Sequence, residues 1–291
     1  MVQVVLAFNA IHLEAARRIR HSQPAAQQEW EVLLYEPSRL ALEAGDRRLW
    51  PWPWRWPIHP LTMAAVALAA RLGLVGRLRL AHLRGAGRAL RLLVRHGRQL
   101  ELLDDGLDQY RFQPRALDPQ MFAAGLPYWL FCDRPAHRAP WCARFDCREL
   151  GPLFEPHGSA EGVTAGPAQT AGVVPPFRTL IVDSPGVERL VAEADHWPHP
   201  WRLVPHPVAA KRHWIGPLAP EDQTLGGPPE AVLRGFGGMV VVGESLVLLA
   251  ALSLCGPGAR LVVALPRQAD ANLWRLIREE AVRDTRLWVL P

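Results

Sequence analysis

Short β-rich runs alternate with helix-period segments along this chain, and that alternation is the strongest constraint on its fold. "VQVVLAF" precedes the helical pattern "AIHLEAARRIRHS". "WEVLLYEP", "RLRLAHL" and "RQLELLDDG" read as strands, with "PLTMAAVALAARLGLV" and "GRALRLLVRHG" as helices between them. A second series follows. "RTLIVDSP", "WRLVPHP", "GMVVVGES" and "ARLVVALP" read as strands, and "GVERLVAEAD", "PPEAVLRGF", "LVLLAALSLC" and "ANLWRLIREEAVRD" as helices. Strands alternating with helices imply a doubly wound parallel sheet. Between the two series, residues 151–176 carry much Gly, Pro, Ala and Thr and no apolar period, the composition of a linker. The expected fold is α/β: two Rossmann-like domains, residues 1–150 and 177–291, with parallel sheets facing across a cleft. Residues 113–150, rich in Pro, Arg and aromatics, resist assignment.

At 291 residues and 49% apolar composition the chain can bury the cores of two domains. Net charge is +5, almost all of it from arginine, and Lys211 is the single lysine. A basic balance favours anionic partners. Cys132, Cys142, Cys147 and Cys255 fit neither a CxxC pair nor a common zinc spacing, which favours a reducing compartment. The N-terminal run lacks a basic region ahead of it, and "LTMAAVALAA" is too short to span a bilayer. A soluble, cytoplasmic protein is expected.

Asp104-Asp105-Gly106 stands at the expected carboxyl end of a strand, the edge where ligands bind in open α/β sheets. A carboxylate there can accept a proton from a substrate hydroxyl. A plain Asp-Gly turn would look the same, and no third carboxylate nearby suggests a metal site. His-Pro occurs three times, at His59, His199 and His206, where composition gives roughly one by chance. Only His206 ends an apolar strand pattern, and Pro207 would end its ladder. "MVVVGESLVLLAALSL" is a strand, a turn at Gly243, and a helix starting near Ser245. Serine is a favoured N-cap, and free N–H groups at a helix start can hold an anion. Trp50, Trp52, Trp54 and Trp56, spaced by Pro or Arg, fit a rigid loop packed on the domain, a sugar-binding rim, or a membrane-interface segment. "RGAGRALRLLVRHGR" is basic and amphipathic, suited to solvent, anionic lipid or nucleic acid. Its lone Gly85-x-Gly87 is poor evidence for a dinucleotide site.

The ordered set "LLDDGLDQY", "VPHP" and "VVVGESLVLLAAL" resembles the (D/E)(D/E)G, HP and serine-rich motifs of the bacterial sialyltransferases and polysialyltransferases of the GT-B fold. Two departures stand out. Glu244 precedes a single Ser245 where that family usually shows two adjacent hydroxyls, and "AFNAIH" replaces its Ser-Pro-Leu-Gln-like turn. The resemblance implies an inverting, metal-independent glycosyltransferase that moves a sialic acid or related acid sugar from a CMP-sugar to a glycan. Residues 1–150 would form the acceptor side and residues 177–291 the CMP-sugar side. Asp104 would be the general base and His206 would meet the leaving phosphate. Asp105, Gly106, Pro207, Gly243 and Ser245 would shape the substrate sites. The donor is a substrate, and no cofactor, metal or nucleic-acid partner is implied. Peripheral contact with the anionic inner membrane face fits the basic stretch. The alternatives are a transferase using another CMP-sugar such as CMP-Kdo, and a non-catalytic GT-B-like scaffold in surface-polysaccharide assembly.

Overall fold

A computed structural model describes residues 2–23, 30–40, 42–50, 54–82, 88–96, 99–113, 122–154, 177–206, 211–218, 223–224 and 229–290. The chain divides into two compact units, Met1–Leu153 and Phe154–Pro291. Most of the expected linker, residues 155–176, lies outside the described residues.

The first unit contains β1 (Val2–Ala7), α1 (Ala10–Ser22), β2 (Glu31–Tyr35), α2 (Ala44–Leu49), β3 (Arg55–Pro57), α3 (Pro60–Arg71), β4 (Val75–Leu80), α4 (Arg88–His96), β5 (Gln99–Leu103), β6 (Pro127–Leu130) and β7 (Asp146–Glu149). Its sheet runs β3-β2-β1-β4-β5-β6-β7, and each pairing is parallel. The second unit contains β8 (Thr179–Val182), β9 (Trp201–Val204), β10 (Gln223–Thr224), α5 (Glu230–Leu233), β11 (Met239–Val242), α6 (Val247–Leu254), β12 (Arg260–Val263), α7 (Ala271–Arg283) and β13 (Leu287–Val289). Its sheet, β10-β9-β8-β11-β12-β13, is also parallel throughout.

Each sheet starts with a central strand, grows outward on one side, then returns and grows on the other. That is the 3-2-1-4-5-6 order of doubly wound nucleotide-binding folds. The order reverses between β1 and β4 in the first unit, and between β8 and β11 in the second. A crevice opens at such a point, beyond the carboxyl ends of the strands.

Strand periodicity explains the two cores of the first unit. Val4 and Leu6 face one way, with Met63 and Val66 of α3 and Leu90 and Leu93 of α4. Val5 and Ala7 face the other way, with Leu13, Ala16 and Ile19 of α1. The central strands are apolar on both faces because both are covered. Arg79, near the end of β4, is a charged exception at 1% exposure. It donates to Glu31 and Glu101, at 2.8 Å each. Glu31 also accepts from Arg20 and Trp50, and Glu101 from Trp129. Burying a charge without such partners would be strongly unfavourable.

The structure departs from the periodicity in a few places. Residues 187–196 wind as a 3-10 helix, where the pattern predicts an α-helix. Buried positions there fall at Val187, Leu190, Ala194 and Trp197, a three-four-three spacing that an α-helix would bury equally well. The tryptophan segment is not a single loop: Trp50 is buried, Trp56 lies in β3, and Trp54 meets Trp30 edge-on, while Trp52 lies outside the described residues. Among the described residues, no helix is long and apolar enough to cross a membrane.

Candidate functional site

The ends of β1, β4 and β5 bring one set of side chains together at the reversal point of the first sheet. Asn9 follows β1 and caps α1, its side-chain oxygen accepting from the His12 N–H at 3.0 Å. His82 follows β4, and the pair Asp104-Asp105 follows β5.

The two aspartates have opposite environments. Asp104 is 0% exposed, with three donors on its carboxylate. Oδ1 accepts from the Gly106 amide at 2.6 Å, and Oδ2 accepts from Gln109 Nε2 at 2.7 Å and the Phe131 amide at 2.9 Å. Gly106 takes φ 73°, a region glycine enters without strain, as the chain turns away from β5. Burial outweighs these donors and pushes the Asp104 carboxyl up to about 8, with the Asp105 charge adding to the rise. Asp104 therefore ties β5 to β6 and the following turn. Asp105 is partly exposed, and its Oδ1 lies 2.8 Å from His12 Nε2 and 3.3 Å from Asn9 Nδ2.

His12 is fully buried, and its tautomer follows from its neighbours. The Phe8 amide donates to Nδ1 at 3.2 Å, so the ring proton sits on Nε2 and points at Asp105. His82 stacks on Phe8, with centroids 4.9 Å apart, and meets the His12 ring edge-on at 5.4 Å. Ligand atoms of His12, His82 and Asp105 lie within 4.8 Å of one another, a spacing a cation could use. The Phe8 amide works against this. It occupies the nitrogen that must carry the proton if Nε2 is to offer a lone pair to a metal.

In the second unit, the strand ends at the reversal point are held by side chains of the loop after β8. Asp183 Oδ1 accepts from the His213 and Trp214 amides at 2.7 and 2.8 Å, and Oδ2 accepts from the His206 amide at 3.4 Å. The His206 and His213 rings lie edge-on, 5.6 Å apart. Pro207 lies outside the described residues. Ser184 Oγ accepts from the Gly243 amide at 2.8 Å and donates to the Val182 carbonyl. Gly243 is required there, because a Cβ would run into the Pro185 carbonyl oxygen.

The turn before α6 differs from the expected phosphate cradle. The N–H groups of Gly243, Glu244 and Ser245 go to Ser184 Oγ, the Pro185 carbonyl and the Gly243 carbonyl. Ser245 Oγ accepts from the Val247 amide at 3.3 Å, and the Ser245 carbonyl accepts from Leu248. These amides are spent within the turn, since loop and helix start must satisfy their own donors where they pack on β8. The Ser245 hydroxyl and the His206 ring lie at this edge as groups that could meet an anion.

Asp104, Asp105 and Gly106 thus share the first edge. His206, Gly243 and Ser245 share the second, on either side of the Asp183-Ser184 loop. Sequence reasoning passed over His12, Asn9, His82, Asp183, Ser184 and His213. The strand-ending "FNAIH" and "VDSPG" were the available signals, since each follows the first strand of a sheet. No family profile and no curated protein matches this chain.

Proposed function

We propose that this chain is an inverting glycosyltransferase of the GT-B type that uses a CMP-sugar, with a sialic acid or related acid sugar transferred to a glycan acceptor. The observation that carries the reading is positional. The Asp-Asp-Gly stretch, His206 and the Gly-Glu-Ser stretch, far apart in sequence, all fall at carboxyl edges of two parallel sheets wound in the nucleotide-binding order.

The base role moves from Asp104 to Asp105. Asp104 is sealed from solvent and engaged by three donors, so it serves the turn. Asp105 is the carboxylate that reaches the edge, oriented by His12 and Asn9. It would take the proton from the acceptor hydroxyl as that oxygen attacks the anomeric carbon. The sugar–phosphate bond breaks and its electron pair leaves on CMP. His206, with the Ser245 hydroxyl, would bind the phosphate as its charge grows.

A non-catalytic scaffold is the second reading, favoured by the buried Glu244 and the committed amides of the α6 turn. One experiment separates the two. Thermal shift with CMP, UDP, GDP and ADP should show stabilisation by CMP above the others, with slow hydrolysis of CMP-sialic acid. No response to any cytidine nucleotide would overturn the transferase reading.

A further inference from the structure

We propose that the α3–α4 face of the first unit docks on an anionic lipid bilayer surface. Charge is the first observation. Residues 47–100 contain eleven arginines and not one aspartate or glutamate, although the chain as a whole is only +5. Arg77 and Arg79 of β4 are paired with Glu101 and Glu31, whereas Arg71 of α3 and Arg88, Arg91 and Arg95 of α4 are exposed. The rest of the chain is therefore net acidic, and the basic charge is concentrated in one stretch.

The second observation is an uncovered leucine stripe. Leu61 and Leu68 of α3 and Leu72 at its C-cap are 75%, 57% and 67% exposed. Their i, i+7, i+11 spacing sets them within about 40° of one another around the helix. The opposite side of α3 carries Met63, Val66, Ala67 and Ala70 into the core, so α3 is apolar on both sides. Leu74, just beyond it, is exposed as well. Single exposed leucines are ordinary, but a contiguous row on one element marks an interaction surface.

The two features adjoin. α4 packs against α3, burying Leu90 and Leu93 and turning Arg88, Arg91, Arg95 and Leu92 outward. A leucine helix beside an arginine helix fits a bilayer interface: leucines enter the acyl boundary and arginines meet headgroup phosphates. A nucleic acid would use the arginines and leave the leucines in water. A second copy of the chain, meeting through the same patch, would bring two arginine rows together and repel. The docking does not depend on glycosyl transfer.

Co-sedimentation of the full chain with phosphatidylcholine vesicles, with and without phosphatidylglycerol, tests the proposal. The wild type should sediment with the anionic vesicles only, and less so as salt rises. Arg88→Gln/Arg91→Gln/Arg95→Gln should weaken binding about a hundredfold, or about fivefold per arginine. Leu61→Ser/Leu68→Ser/Leu72→Ser should also weaken it. All six side chains are exposed, so circular dichroism should show an unchanged fold. If the triple serine variant is unstable, Leu61→Ser alone should still give partial loss. Absence of wild-type binding, or binding insensitive to both variants, overturns the proposal. So does loss with the arginine variant alone, accompanied by competition from duplex DNA, which marks a nucleic-acid surface. A wild-type dimer that the leucine variant makes monomeric overturns it too, in favour of self-association.

Discussion

His12 Nε2 lies 2.8 Å from Asp105 Oδ1 although 93 positions separate the two residues. The contact exists because β1 and β5 flank β4 in the sheet, so the loop after each ends at the same edge. It holds Asp105, and not the buried Asp104, at the edge of the sheet.

Exchanging each carboxylate for its amide separates their roles. Asp104→Asn puts an NH2 group among three donors and should reduce stability by about 1–3 kcal/mol, measured by chemical denaturation. Asp105→Asn should change stability little. It should reduce transfer by about two to four orders of magnitude while CMP affinity holds. The opposite pattern, with Asp104→Asn stable and inactive, would return the base role to Asp104.

Asp104 also sets a pH dependence of stability. Its carboxyl sits at about 8 in the fold against an ordinary 3.8, so between those values the folded chain holds a proton that the unfolded chain has released. Stability from this group is complete below the unfolded value and is lost as pH rises through the folded one, with a slope of at most about 1.4 kcal/mol per pH unit. Urea midpoints of the wild type should therefore fall as pH rises from about 4 to about 8 and level off above that. Asp104→Asn should remove this component and flatten the profile.

His206 should separate from the other histidines that precede proline. His206→Ala should weaken CMP binding roughly ten- to a hundredfold by calorimetry, the loss expected if the proposed charge-assisted bond to phosphate is removed. His59 caps α3 by accepting from the Leu61 amide, and His199 stacks on Trp201. Alanine at either position should leave CMP affinity unchanged.

The contact between the loops after β8 and β11 predicts an asymmetry between two glycines. At Gly243 a new methyl meets the Pro185 carbonyl, whereas at Gly237 it meets nothing within 4 Å. Gly243→Ala should destabilise by about 1–3 kcal/mol, the range for overpacking. Gly237→Ala should be near neutral. Thermal melts of the pair decide it, and equal melting temperatures would contradict the geometry.

Element order was legible in the sequence because it is local. The apolar runs of β1, β4, β8 and β11, and the periodicities of α1, α3 and α7, each lie within a window of a few turns. The strands that escaped notice, β3, β6, β7, β10 and β13, are two to four residues long and lack the unbroken aliphatic runs that mark the equally short β8 and β11. The Asp-Asp-Gly stretch was placed at a strand end by the same local logic.

Tertiary structure decided everything that depends on strand order and register. Nothing local marks Arg79 as buried; it can be so because β2 and β5 carry Glu31 and Glu101 to it from 48 and 22 positions away. Nothing local separates Asp104 from Asp105. Side chains before and after a turn point different ways, and only the approach of Phe131 and Gln109 to one, and of His12 to the other, makes the first a tie in the core and the second a partly exposed acid. The α6 turn is the same case. Its sequence promises free amides, and the Ser184-Pro185 loop packed on it takes up two of them, the Gly243 and Glu244 N–H groups. Partners so distant in the chain are specified by the winding of the sheet, which no window of sequence contains.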